Sequence, residues 1–187
     1  MPADPTEPAP TSAVNITETW DDGVLQRGEP DDVIPWAEVR DRIARAGDYW
    51  VTTVRPGGEP HVRPVFGVWV AGLLVSTTNA SRAKARHLAS NPEVSVATRV
   101  DGVDLVVEGR AELVTDDGLL AAIAAEYRSK YGWPLEVRDG EAFHAPFAAP
   151  AAGPPPYRPY AVRPRVVYAL GVTDELAPRT TRYTFGT

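Results

Sequence analysis

The chain has 187 residues, 43% hydrophobic and 24% charged, with a net charge of −6 and no cysteine. That length suits one domain with a sizeable core rather than two. Disulfides, thiolate catalysis and cysteine-held metals are excluded, no apolar run approaches the ~18–20 residues that span a bilayer, and the acidic balance speaks against nucleic acid or an anionic membrane as partner.

The opening residues MPADPTEPAPTSAV carry neither a basic start nor an apolar core, so no secretory signal is read there and the cytoplasm is the expected location. Residues 1–33 are rich in proline, threonine and acids and read as a flexible tail, with Trp20, Val24 and Leu25 able to pin part of it down. One domain is expected over 34–187. Pro35 suits the first turn of a helix in which Trp36, Val39, Ile43 and Ala46 share a face, with Gly47 as its stop.

From Tyr49 the period changes to two. YWVTTV reads as a strand, RPGGEP as a turn, HVRPVFGVWV as a second strand, and AG as a tight turn into LLVSTT, giving a three-strand meander. Pro64 marks an edge or a bulge. Ser81 to Asn91 reads as a short helix ended by Pro92. EVSVATRV and VDLVVEGRAELV, joined by Asp101–Gly102, form a hairpin. Asp116 starts a helix with Leu119, Leu120, Ile123, Tyr127 and Tyr131 on one face, and Gly132 ends it. Residues 134–164 read as a long connection. Seven prolines between Pro146 and Pro164 speak against helix or central strand there. VVYALGV and RYTFG read as closing strands. The sum is five to seven mostly antiparallel strands with two or three helices, and removal of sheet edges favours a small barrel.

His61, His87 and His144 show no metal-ligand spacing, and no metalloprotease, nucleophile-elbow, dinucleotide-binding or P-loop motif is present. An enzyme of this composition would rely on a bound organic cofactor. Between Arg55 and Arg86 lie five basic residues (Arg55, Arg63, Arg82, Lys84, Arg86) and one acid, Glu59, a local balance of +4. A helix N-terminus with Thr78, Asn79 and Ser81 just before it suits a phosphate. On the helical wheel Ala85, Leu88 and Ala89 face the body, Lys84 and Arg82 flank them, and Arg86 and His87 point toward solvent. Alternation groups His61, Arg63, Val65 and Trp69 on one strand face, and Val62, Phe66, Val68 and Val70 on the core face. The alternatives are a solvated basic helix face and, for Arg63, an ion pair with Glu59 or Glu108.

The order of these motifs resembles the flavin-binding split β-barrel family of pyridoxamine 5′-phosphate oxidase. Gly58, Pro60, His61, Pro64 and Val65 match its second strand. Ser81, Lys84, Leu88, Asn91, Pro92 and Val94 match its helix and the strand after it. Thr181, Arg182, Tyr183 and Phe185 match its C-terminal segment. The resemblance covers Trp36 to Phe185 apart from the proline-rich connection 145–164. It implies a mainly β, α+β fold: an antiparallel six- to seven-stranded split β-barrel with two to four peripheral helices, in a homodimer with cofactor sites at the interface. It also implies FMN, or alternatively F420, with the phosphate held by Lys84, Arg82, Ser81 and Thr78. Arg63, Pro64, Val65, Ser76 and Thr77 would run along the ring, and Arg182 would approach it. The expected activity is hydride transfer to or from a small-molecule substrate. No side chain stands out as a general acid. A long basic segment for a substrate phosphate is missing, so pyridoxamine phosphate is not the expected substrate. His87 stands where relatives commonly carry asparagine. A non-catalytic carrier of flavin or haem, or a structural dimer with an empty site, are the rival readings. Trp69, Trp133, Phe143 and Phe147 are aromatics for a pocket or, equally, for the core.

Overall fold

A computed structural model describes residues 7–148 and 152–186. The elements in chain order are β1 (Ser12–Asn15), β2 (Glu18–Asp21), β3 (Val24–Arg27), α1 (Trp36–Arg45), β4 (Tyr49–Val54), β5 (Pro60–Val65), β6 (Gly67–Val70), β7 (Leu73–Asn79), α2 (Ala83–Ser90), β8 (Glu93–Val100), β9 (Val103–Leu113), α3 (Asp117–Tyr131), β10 (Glu136–Arg138), β11 (Ala142–His144), β12 (Tyr157–Gly171) and β13 (Thr181–Thr184). The chain is mainly β with three α-helices, and every strand pair is antiparallel. No helix among the described residues is long and apolar enough to cross a membrane.

Eleven strands form one sheet, with the main order β1-β13-β12-β9-β8-β4-β5. The fifteen-residue β12 joins its two parts. Its first half pairs with β7, its second half with β13, and β9 runs beside both. The ladder continues from β12 through β7 to β6, and β6 follows β5 in the chain after Phe66. Inner residues of successive strands line up in one cross-strand row: Tyr183, Val167, Val107, Val96 and Val51, each nearly or fully buried. A second core lies under α3, where Leu120, Ile123 and Tyr127 pack on Val68, Val75, Trp133, Phe143 and Tyr157. Asp116 caps that helix by accepting from the Leu119 N–H at 2.8 Å.

Several expectations need correction. The sheet has eleven strands, not six or seven, because β5 and β6 are separate strands and the short β1, β10 and β11 also join it. The supposed tail is structured over much of its described length: β1 pairs with β13, and β2 with β3. Residues 1–6 lie outside the described residues. The long second strand is two strands, with β5 paired to β4 and β6 to β7, so the three-strand meander does not exist. Val62 is exposed and His61 buried, the reverse of the expected core face. The last part of the proline-rich connection, from Tyr157, is a central strand. Its prolines sit where no ladder bond is lost. The Pro159 carbonyl accepts from Val114 N–H, so its nitrogen points the same way, past the last β9 pair at Tyr160–Leu113. Pro164 lies beyond the last β7 pair and beside the bulge against β9. Pro64 does lie on an edge strand, as expected.

Candidate functional site

The site begins where β7 hands over to α2. Asn79, the last residue of β7, accepts from both the Ser81 N–H (2.8 Å) and the Ser81 hydroxyl (2.7 Å) through Oδ1. Its Nδ2 donates to the Pro154 carbonyl at 2.9 Å. One amide thus shapes the turn before α2 and ties the proline-rich segment against it. The N-cap of α2 is Arg82, which supplies no side-chain cap, and no acid stands in the first turn. The N-terminal N–H groups and positive dipole end are therefore left for an acceptor from outside, in contrast to the capped α3.

Lys84 is the second observation. It is 8% exposed, and burial lowers its pKa from 10.5 to about 8. Among the described residues its ammonium donates to one protein acceptor, the Thr77 carbonyl at 3.2 Å. The other lysine is a useful contrast. Lys130 has its pKa lowered to about 8 by burial, and donates to Ala44 O (2.7 Å), Tyr49 OH (2.8 Å) and Gly67 O (2.9 Å). Three donors meet three acceptors there, which makes Lys130 a structural tie between α3, α1 and the β5–β6 bend. Lys84 has the same donor capacity with two directions unspent. A buried cation of this kind fits an anion.

The surrounding charge agrees. Among the described residues, Arg55, Arg63, Arg82, Lys84 and Arg86 make no ion pair, whereas Arg40, Arg42, Arg45, Arg99 and Arg165 each meet a carboxylate. Neither Glu59 nor Glu108 pairs with Arg63, which bonds the Val62 carbonyl at 2.8 Å instead. Ser76 and Thr78 are each 8% exposed, and Thr77 is half-buried. Ser81 and Arg82 are exposed. The Arg82 guanidinium lies against Gly153, where an added Cβ would stand 2.2 Å from Nη2.

β5 meets the same helix through its inner face. His61 and His87 pack edge to face with centroids 4.9 Å apart, and His87 Nδ1 bonds the Thr53 hydroxyl at 3.0 Å. Burial lowers the His61 pKa, reinforced by Arg63, His87 and Arg55. The expectation that His87 faces solvent is overturned, since it is 7% exposed. Ala89 is exposed instead, so the true inward set is Lys84, Ala85, His87 and Leu88. Arg86 is exposed, as expected. Arg63 and Pro64 stand exposed on the β5 rim, while Val65 and Ser76 share the lining of one small cavity with Tyr49, Val51 and Gly67. A separate cavity of about 220 Å³ lies near the start of α3, lined by Leu73, Glu112, Asp116, Leu119 and Arg163, away from this cationic cluster.

Lys84, Thr77, Thr78, Ser81 and Arg82 are thus brought together, and β5 lies beside them through His61. Arg182 is not. It pairs with Tyr168 on β12, whereas Thr77 pairs with Pro159, so the two lie toward opposite ends of that strand. Of the aromatics considered for a pocket, Trp133 and Phe143 are buried in the α3 core, Trp69 packs edge-on to Trp36, and Phe147 is exposed. Sequence reasoning missed His87, Thr53 and Gly153, and did not count Asn79 as a site residue. The dipeptide Asn79-Ala80 before Ser81 carried a signal, because asparagine two residues before an N–H readily forms an Asx turn. Asn79→Ala is expected to weaken anion binding at α2 about fivefold through loss of about 1 kcal/mol of preorganisation, with the melting temperature nearly unchanged. A titration with FMN and a thermal melt check both halves.

The comparisons with known proteins come to the same fold. A family model described as pyridoxamine 5′-phosphate oxidase matches residues 35–170. No curated protein matches the chain. Among solved structures, the heme binding protein from Mycobacterium smegmatis superimposes with a TM-score of 0.60 at 20% identity, over 81% of this chain and 59% of that one. A conserved hypothetical protein from Mycobacterium tuberculosis gives 0.58 at 18% identity, over 78% and 90%. A pyridoxamine 5′-phosphate oxidase-related, FMN binding protein from Nostoc punctiforme gives 0.50 at 20%, over 74% and 86%. At these identities the structural likeness concerns the fold. The family match spans well over half of the chain and includes β5, β7 and α2: the chain belongs to the pyridoxamine 5′-phosphate oxidase family.

Proposed function

We propose that the protein is a flavin-dependent oxidoreductase that holds FMN by its phosphate at the start of α2. The observation that carries this reading is Lys84: a buried ammonium with one protein acceptor, beside an uncapped helix N-terminus. Lys84 and Arg82 would bind the phosphate, with the Thr78 hydroxyl beside it and the Ser81 hydroxyl exchanging its bond to Asn79 for one to a phosphate oxygen. FMN, when bound, would supply the hydride chemistry. The chain would orient it along Arg63–Pro64–Val65 and the Ser76–Thr77 end of β7. The Arg63 guanidinium, which meets no carboxylate among the described residues, would favour negative charge at the ring edge next to it. The deazaflavin F420 presents the same phosphate chemistry to α2. Haem fits less well despite the heme binding structural neighbour, because His61 and His87 are buried edge to face against each other, with His87 Nδ1 bonded to Thr53, rather than presented to a ligand.

The same reading includes a split barrel, closed where β5 runs into β6 across Phe66, and a homodimer. The outer sheet face supports the dimer. Val14, Arg182, Tyr168, Val106, Ala97, Trp50 and Pro64 form one cross-strand row, exposed or half-buried throughout. A two-fold axis along the strands would lay the Arg182 end of one row over the Pro64 end of the other. That arrangement would bring Arg182 of a second copy to the ring site that it cannot reach in its own chain. The purified protein is expected to be coloured, and mass spectrometry of the released ligand should give the mass of FMN or of F420. A colourless protein that shows no thermal shift with either ligand would overturn the reading.

A further inference from the structure

Among the described residues the ribbon β2–β3 stands apart from the main sheet: its two strands pair with each other and with no third strand, and all eight of their residues are exposed. Trp20 is 71% exposed, Val24 58% and Leu25 43%, with Trp20 directly opposite Leu25. Asp22 and Gly23, both at positive φ, close the ribbon in a two-residue turn that sets its twist. Its root is firmly tied. Asn15 Nδ2 donates to Asp32 O (2.9 Å) and Pro178 O (2.8 Å), Gly28 N–H to Thr17 O (3.1 Å), and Thr180 N–H to the Thr17 hydroxyl (3.0 Å). A lone hairpin is marginal in water and a tryptophan held out by a fixed root is costly to leave wet, so a docking partner is called for.

We infer that this arm docks on the β4–β5 rim of a second copy of the chain. The inference rests on the homodimer proposed above. The two surfaces match in both respects. The arm offers Trp20, Val24 and Leu25 beside Asp21 and Asp22, which make no ion pair among the described residues. The rim offers Trp50 and Val62, each 45% exposed, beside Arg55 and Arg63, which also make none. In its own chain the arm follows β1, at the opposite end of the seven-strand order from β5, and pairs with neither β4 nor β5. Val14 and Ile16, each 37% exposed, lead from β1 into the arm, and Val14 heads the outer row whose other end is Pro64. The two-fold that lays these ends together sets the root of each arm beside the other chain's rim. The arm would then form the outer wall of the flavin edge at Arg63.

Equilibrium sedimentation of the full chain and cysteine cross-linking test this together. The protein contains no cysteine, so single substitutions give clean handles. A mixture of the Gln26→Cys and Glu59→Cys chains, treated with a short bismaleimide, should give a covalent dimer. Trp20→Ala and Arg55→Glu should each weaken dimerisation about tenfold or more, and Asp21→Arg should restore the loss in the Arg55→Glu chain. A dimer that keeps its affinity in Trp20→Ala and gives no cross-link overturns the arm and leaves the dimer standing. A wild-type chain that sediments as a monomer at every concentration overturns both.

Discussion

Lys84→Met is expected to have two opposed effects: FMN affinity falls about a hundredfold, while the cofactor-free chain becomes more stable. The first follows from losing a charge-assisted contact to phosphate, about 2–3 kcal/mol, at tenfold per 1.4 kcal/mol. The second follows from burial. The Lys84 pKa is about 8 in the folded chain against 10.5 as the ordinary value. At about 1.4 kcal/mol per unit, holding it charged costs on the order of 3 kcal/mol. Above pH 10.5 the amine is neutral in both states and no cost arises. Between 10.5 and 8 the unfolded chain keeps a proton that the folded chain lacks, so stability falls as the pH falls. Below 8 the full cost applies. The gain from methionine is therefore complete at pH 7, shrinks from pH 8 upward, and is gone near pH 10.5. Loss of the bond to the Thr77 carbonyl returns about 1 kcal/mol, which leaves about 2 kcal/mol, or roughly 4–8 °C in melting temperature for a chain of this size. Melts of the cofactor-free proteins at pH 7 and pH 10, with an FMN titration at pH 7, check the whole chain of reasoning. Equal melting temperatures at pH 7 together with unchanged FMN affinity would remove Lys84 from the site.

This trade of stability for binding explains why the two lysines behave differently although burial acts on both. Lys130 is compensated inside the chain by three oxygens and by its position over the Tyr49 ring, 4.8 Å from the centroid. Among the described residues Lys84 is compensated by one carbonyl, and it lies in the first turn of α2, whose end carries no side-chain cap. Arg55, Arg63 and Arg86, which make no ion pair among the described residues, add to this basic cluster, where an anion would relieve repulsion. The buried histidine pair belongs to the same economy. With cations on the rim, burial lowers the His61 pKa, and the imidazole pair packs β5 against α2.

Much of this was legible in the sequence, for identifiable reasons. Helices α1 and α3 were readable from Pro35, Asp116 and Gly132 because caps act locally. The β8–β9 hairpin was readable from Asp101–Gly102 because a two-residue turn fixes register. Lys84 was readable from its place one turn before Leu88. The failures share one cause, dependence on a distant partner. β1 is a strand because β13 offers it an edge, which no pattern in residues 12–15 reveals. Tyr157–Gly171 holds prolines in a central strand because β9 ends and β7 ends where their missing N–H groups fall. His87 points inward because His61 and Thr53 accept it, whereas the wheel alone favoured Ala89. The role of Asn79 depended on Pro154, seventy-five residues away. Arg182 is further removed still, since only the proposed second copy would bring it to the site.

Gly109→Ala is expected to be strongly disruptive to the sheet, at about 4 kcal/mol or more. Gly109 lies in β9 between Val94 on β8 and Pro164 on β12, beside the bulge where the β9–β12 register shifts. A Cβ there would stand 2.1 Å from the Arg163 carbonyl oxygen and 3.2 Å from Val162 Cγ1. The near obstacle is backbone in a ladder, so no side chain can turn away to make room, and overpacking of this kind exceeds the usual 1–3 kcal/mol. The expected fall in melting temperature is roughly 8–16 °C. The damage should also reach the site. Val162 to Tyr157 form the β12 ladder against Leu74 to Asn79, so displacing β12 at Arg163 moves the strand that holds Ser76, Thr77 and Thr78. FMN binding by the surviving folded protein is therefore expected to weaken as well, although Gly109 touches none of the proposed contacts. Gly47→Ala is the control, because a Cβ at Gly47 meets nothing within 4 Å and its φ is not positive. Thermal melts of the two variants side by side, each with and without FMN, give the comparison. If Gly109→Ala melts with the control, β12 does not depend on the close approach at Gly109, and the proposed coupling between the bulge and the phosphate site fails with it.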